Sequence, residues 1–130
     1  MENYVGKRLD GRYEIQDVIG VGGMAYVYKA TDLKDNSTVA VKILKEELLD
    51  NEELVRRFKN ESRAISMLDH ENIVKFLDVK FSDSVQYIVM EYLNGITLKE
   101  YIQAHTSLTW KETVYFSEQL LRALQHAHDR

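Results

Sequence analysis

Three glycines fall within four residues in the stretch "GVGGMA", residues 20 to 25. What flanks them limits the fold more than anything else in the chain. "RYEIQDVI" before them and "AYVYKATD" after them are rich in β-branched and aromatic residues and largely alternate in polarity. That is the pattern of two strands, not of a strand and a helix, so the glycines predict a β-hairpin. A dinucleotide-binding fingerprint needs a helix directly after its glycines. A Walker loop needs Gly-Lys-Ser or Gly-Lys-Thr, and the chain has neither sequence. Glycine lets a ligand approach the backbone closely, and successive N–H groups can then face phosphate oxygens. A plain hairpin turn is the alternative reading of the same residues.

The next strand, "VAVKIL" at residues 39 to 44, carries a lysine near its centre. Alternation puts Val39, Val41 and Ile43 on one face and Ala40, Lys42 and Leu44 on the other. A buried ammonium without a partner is costly. "DNEELVRRFKNESRAISML" follows and predicts a long helix, with Asp50 and Glu53 in capping-box spacing. Leu54, Phe58, Glu61, Ile65 and Leu68 step round one helix face, which sets Glu61 in an apolar stripe. Lys42 and Glu61 are therefore expected to pair. The alternative is that each lies at an edge and reaches water separately.

"NIVKFLDVKF" and "VQYIVMEYL", joined by "SDS", predict a second hairpin. Five strands and one long helix result, and the short connections favour an antiparallel sheet. After Leu93 the pattern becomes helical. Thr97 with Glu100 opens a short helix. Thr109 with Glu112 opens a longer one, carrying Trp110, Val114, Leu121 and Leu124 at helical spacing. A boundary is expected at Asn94–Gly95, dividing residues 1–94 from residues 95–130.

Composition narrows the function classes. Apolar residues are 45% and charged residues 29%, which fits a folded domain and not a disordered chain. A net charge of −4 gives no electrostatic case for nucleic acid. There is no cysteine, so disulfides and thiolate zinc sites are excluded, and a reducing cytoplasm fits. No apolar run approaches membrane-spanning length. His70 sits in a loop, and His126 and His128 close the last helix, where cations suit the dipole. None is assigned to a metal.

Taken together, the glycine hairpin, "VAVK", a helical glutamate and two strands ending in "VMEYLNG" closely resemble the N-terminal lobe of protein kinases. The likeness is strongest to bacterial serine/threonine kinases of eukaryotic type, the PASTA-domain group included. It covers almost the whole chain. The resemblance implies an α+β fold: a five-stranded antiparallel sheet with one long helix over residues 1–94, then the first two helices of the C-lobe over residues 95–130.

The resemblance also implies ATP as ligand. Gly20, Val21, Gly22 and Gly23 would form the flap over its phosphates, with Ala25 at the family's third glycine position. Lys42 would anchor the α- and β-phosphates, held by Glu61. Ile19, Val27 and Ala40 would sandwich the base, Met90 would be the gatekeeper, and Glu91 and Leu93 would meet the adenine edge through their backbones. Thr97 would approach the ribose, and Ile65 and Phe76 would stack in an apolar spine. The His-Arg-Asp catalytic loop and the Asp-Phe-Gly motif are absent from these residues, so the ligands for Mg2+ lie outside this chain. The isolated chain is expected to be inactive. Its parent would pass the ATP γ-phosphate to protein serine or threonine, in the cytoplasm or tethered to a membrane by a segment outside these residues. A natural short pseudokinase that scaffolds partners is the alternative. The last helix carries an apolar face with Leu120, Leu121 and Leu124, so self-association through it is expected; the resemblance implies an N-lobe homodimer as the alternative.

Overall fold

The computed structural model describes residues 4–94 and 110–128. Six strands form one antiparallel sheet: β1 (Arg8–Leu9), β2 (Tyr13–Val21), β3 (Ala25–Asp32), β4 (Ser37–Leu44), β5 (Phe76–Phe81) and β6 (Gln86–Glu91). Their spatial order is β1-β2-β3-β4-β6-β5. Five match the expected strands. The sixth, β1, is only two residues long and carries no periodicity that a sequence reading can register. Helix α1 spans Glu52–Ser66 and α2 is described over Trp110–His128. The short helix expected at Thr97 lies outside the described residues.

β4 is central, and both its faces are covered. Val39, Val41 and Ile43 pack with Leu9, Tyr13, Ile15, Tyr28, Tyr87 and Val89. On the opposite face Leu44 packs with Ala25, Phe58 and Ile88. The alternation read from "VAVKIL" therefore holds, and the second face is the one that carries α1. The sheet is curled. Register shifts interrupt β2 against β3 at Ile15/Asp17 and again at Val18/Gly20, and β5 against β6 at Phe76/Asp78. Such bulges bend a strand and increase its twist.

The curl brings the first turn to the last strands. Asp10, at φ 54°, accepts hydrogen bonds from Lys80 and Tyr87. Tyr13 donates to Asp78 at 2.8 Å. Arg12 makes a two-pronged contact with Asp32, both bonds 3.0 Å long. Burial and the carboxylates they meet push the Tyr13 and Tyr87 hydroxyls above the usual phenol range.

Two expectations about α1 need correction. Its N-cap is Asn51, whose Oδ1 accepts from the Leu54 N–H at 3.1 Å, not Asp50. Its packed stripe is Val55, Phe58 and Ser62, with Phe58 and Ser62 buried, while Glu61 and Ile65 are exposed. Glu61 lies one residue, about 100°, round the helix from Ser62. The small Ser62 lets the helix approach the sheet, and its hydroxyl is satisfied by the Phe58 carbonyl at 2.7 Å. Phe58 meets Phe81 of β5 edge to face at 6.4 Å.

Candidate functional site

The glycine cluster forms the tip of the β2–β3 hairpin. The Gly22 N–H donates to the Ala25 carbonyl at 2.9 Å and closes the turn. The Lys45 N–H donates to the Met24 carbonyl at 3.0 Å and pins the tip beside the end of β4. None of Gly20, Gly22 or Gly23 sits at positive φ. At Gly22 a Cβ would come within 3.3 Å of the Ala25 carbonyl, whereas at Gly23 it would meet nothing within 4 Å. The turn thus needs a bare backbone at Gly22 and leaves Gly23 facing open space.

Beneath this tip lies a cleft of about 420 Å3 lined by Gly20, Val21, Gly22, Gly23, Met24, Ala25, Val27 and Lys42. Sheet register explains its composition. Gly20 pairs with Val27, and Val27 pairs with Lys42. Lys42 is half-buried and, among the described residues, forms no ion pair. Glu61 also forms none, so the expected Lys42–Glu61 pair is not made in this conformation. Exposed apolar side chains at Val18, Ile19 and Val21 occupy the part of β2 that overhangs the core. Apolar surface left uncovered in this way marks ligand grooves as well as interfaces.

The remaining candidates extend along the same sheet face or lie beyond it. Ala40 pairs with Met90, one row along from Lys42 and Ile88. Ala40 is buried and Met90 half-buried. Glu91 pairs with Val39, so its side chain belongs to the opposite face. Its N–H is engaged by the Lys75 carbonyl at 2.9 Å, and it lines a separate cavity of about 330 Å3. Leu93 is 61% exposed. Ile19, Ala40, Met90, Glu91 and Leu93 therefore lie outside the cleft lining. Thr97 lies outside the described residues, and Phe76 packs against the α1-side core.

Two side chains near the site escaped the sequence reading. Met24 lines the cleft; its position inside the glycine cluster was the available signal. Lys29, the cross-strand partner of Ala40, places its ammonium 5.3 Å from the centre of the Tyr92 ring. Nothing local in "YKAT" announces that contact. Among the described residues no group of three or more histidine or acidic side chains is arranged to hold a metal. None of the helices among the described residues is long and apolar enough to cross a membrane.

Comparison with known proteins gives a consistent result. Residues 13–130 match the family model described as the protein kinase domain. The serine/threonine-protein kinase PrkC of Bacillus subtilis is 48% identical over 124 residues, covering 95% of this chain and 19% of that protein. A probable serine/threonine-protein kinase PknB of Lactococcus lactis is 38% identical over 125 residues, covering 95% of this chain and 20% of that protein. The chain thus spans about a fifth of the length of these curated relatives. Among solved structures, the kinase domain of PknI from Mycobacterium tuberculosis superposes with a TM-score of 0.79 at 25% identity, covering all of this chain and 54% of that one.

Proposed function

This chain belongs to the protein kinase domain family, and from that premise we propose that it is the ATP-binding portion of a serine/threonine kinase. The observation that carries the reading is Lys42: a half-buried ammonium, without an ion-pair partner among the described residues, sharing a cleft with the hairpin glycines. A cation so situated has favourable chemistry for an anionic ligand, and a phosphate chain matches it.

In this reading the hairpin backbone roofs the phosphates, and Lys42 holds the α- and β-phosphates. Val27 and Ala40, with Ile19, cover the base, and Met90 closes the back of the site. The Glu91 carbonyl and the Leu93 N–H meet the adenine edge. Residues 1–94 form the small lobe and residues 95–130 begin the helical one. Glu61 steadies Lys42 only after α1 turns and brings it off the exposed side, so α1 acts as a switch.

ATP supplies the phosphoryl group, and in the whole protein that group passes to a serine or threonine hydroxyl of a protein substrate. The described residues offer no set of ligands for Mg2+. The 130 residues contain neither His-Arg-Asp nor Asp-Phe-Gly. Alone they are proposed to bind nucleotide weakly and to transfer no phosphate.

The test is titration of a non-hydrolysable ATP analogue into the wild type and Lys42→Ala, read by calorimetry. Weak binding by the wild type, reduced at least about tenfold in the variant, is the expected result, because a charge-assisted phosphate contact is lost. Equal binding by both would remove Lys42 from the phosphate site.

A further inference from the structure

The loop that follows α1 is tied to α2 by one contact that depends on a histidine lone pair and by an amide contact that does not. The Asp69 backbone N–H donates to His126 Nε2 at 2.9 Å. The Asn72 side-chain amide donates to the Gln119 carbonyl at 2.9 Å and to its Oε1 at 2.7 Å. His70 Nδ1 accepts the Asn72 backbone N–H at 3.0 Å. The two imidazole rings lie 5.2 Å apart, tilted by 41°.

Each histidine thus uses one ring nitrogen as an acceptor towards a backbone amide. A ring nitrogen accepts only while it carries no proton. Protonation of His126 at Nε2 sets a donor against the Asp69 N–H. Protonation of His70 at Nδ1 does the same against Asn72. When both rings are charged, two cations stand in ring contact. We infer that His70 and His126 form a proton-sensitive clasp, closed while both rings are neutral and released as they charge.

The surroundings bear on both rings. Asp69 and Glu71 of the loop, Lys75 ahead of β5 and Glu91 of β6 line the same cavity as His70. On α2, Arg122 stands one turn before His126 and is paired with Glu118 at 2.6 Å, and His128 follows two residues on. Among the described residues none of these carboxylates is hydrogen-bonded to either ring. A charged imidazole drawn towards them turns that ring nitrogen, now a donor, away from the amide, which adds to the release.

The position of the clasp gives it a consequence. The last turn of α1 ends at Met67, whose N–H reaches the Ala64 carbonyl at 3.3 Å, and Asp69 is two residues beyond. The sheet holds α1 through Val55, Phe58 and Ser62, while Ile65 and Met67 are exposed. Beyond the sheet contacts, the C-terminal end of α1 is tethered through this loop, by the Asp69–His126 bond together with the two Asn72–Gln119 bonds. Release loosens that end and changes how Glu61 is presented. The clasp stands on its own geometry; only this effect on Glu61 rests on the ATP-binding reading.

Residue-resolved amide exchange on the full 130-residue chain tests it, measured from about pH 8 to about pH 5, where imidazole ordinarily changes charge, and corrected for intrinsic rates. Protection at the Asp69 N–H should fall by about tenfold or more, in step with the His126 imidazole signals, while the Phe58 amide stays protected. In His126→Gln, which offers an acceptor that does not titrate, the fall should shrink to about twofold or less. Protection at Asp69 that ignores pH in the wild type, or falls equally in His126→Gln, overturns the clasp. Should that variant not fold, His70→Asn replaces it. The pH response should then persist at Asp69 and vanish at the Asn72 backbone N–H, and any other pattern overturns the clasp.

Discussion

At Gly23 the backbone is not in the left-handed region, and a Cβ would meet nothing within 4 Å. Neither strain nor crowding within the chain explains a glycine there. A ligand that comes close to the backbone would. Gly23→Ala is therefore expected to leave the thermal midpoint almost unchanged, within about 0.5 kcal/mol of stability, and to weaken binding of an ATP analogue. Unchanged affinity would assign Gly23 to the turn alone. Gly22 contrasts with it: the Ala25 carbonyl already occupies the space a Cβ would crowd, so Gly22→Ala would disturb hairpin and ligand together and could not separate them. Lys42 was legible from its strand, because two-residue alternation is a local property and β4 obeys it. That it has no ion-pair partner among the described residues was not, because that depends on where α1 settles.

At the scale of the element, α1 shows how a local pattern can point to the wrong side. Leu54, Phe58 and Ile65 suggest one stripe, and Val55, Phe58 and Ser62 form the one that packs. A few tens of degrees separate the two, and a small polar residue won a buried place because it permits close approach. Phe58 belongs to both stripes and anchors the helix against Leu44, Ile88 and Phe81. Phe58→Ala should cost about 3–5 kcal/mol through lost burial and the cavity left behind, lowering the denaturant midpoint sharply. A small effect would mean that α1 is not docked on the sheet as described. The glycine hairpin and the β5–β6 hairpin were legible because a hairpin is written in adjacent residues. The N-cap was displaced by one position because Asp50 and Asn51 are both competent caps, and the backbone at Asn51 is the one that meets the Leu54 N–H.

Across the whole molecule, polar contacts join the first turn to the last strands. The Asp10 carboxyl is held below the ordinary 3.8 by Lys80 first and Tyr87 second, against the opposing effect of burial. Arg12 does the same for Asp32, with help from the Lys34 N–H. A carboxyl with a depressed folded-state pKa stabilises the fold above its unfolded value and loses that contribution as pH falls through the folded one. Thermal stability should therefore drop as pH falls below about 4. Asp32→Asn should be less stable at neutral pH and show a flatter acid limb. A variant with the wild-type acid profile would count against this role for Asp32. At the other end, Leu120, Leu121 and Leu124 of α2 are 56–65% exposed, a surface that favours association. We expect the apparent mass by light scattering to rise with concentration, and Leu121→Glu with Leu124→Glu to suppress that rise. A monomer at high concentration would refute it.

Five of the six strands, the hairpin at the glycines, the face on which Lys42 stands and the existence of α1 could all be read from residue order, because each follows from periodicity or turn chemistry within a dozen neighbouring residues. Tertiary structure decided which side of α1 is buried, that Lys42 and Glu61 stand apart, that Asp10 reaches Lys80 and Tyr87, and that His126 meets Asp69. Those outcomes join residues as many as 77 positions apart. They are set by how closely packed surfaces fit one another, which no local pattern encodes.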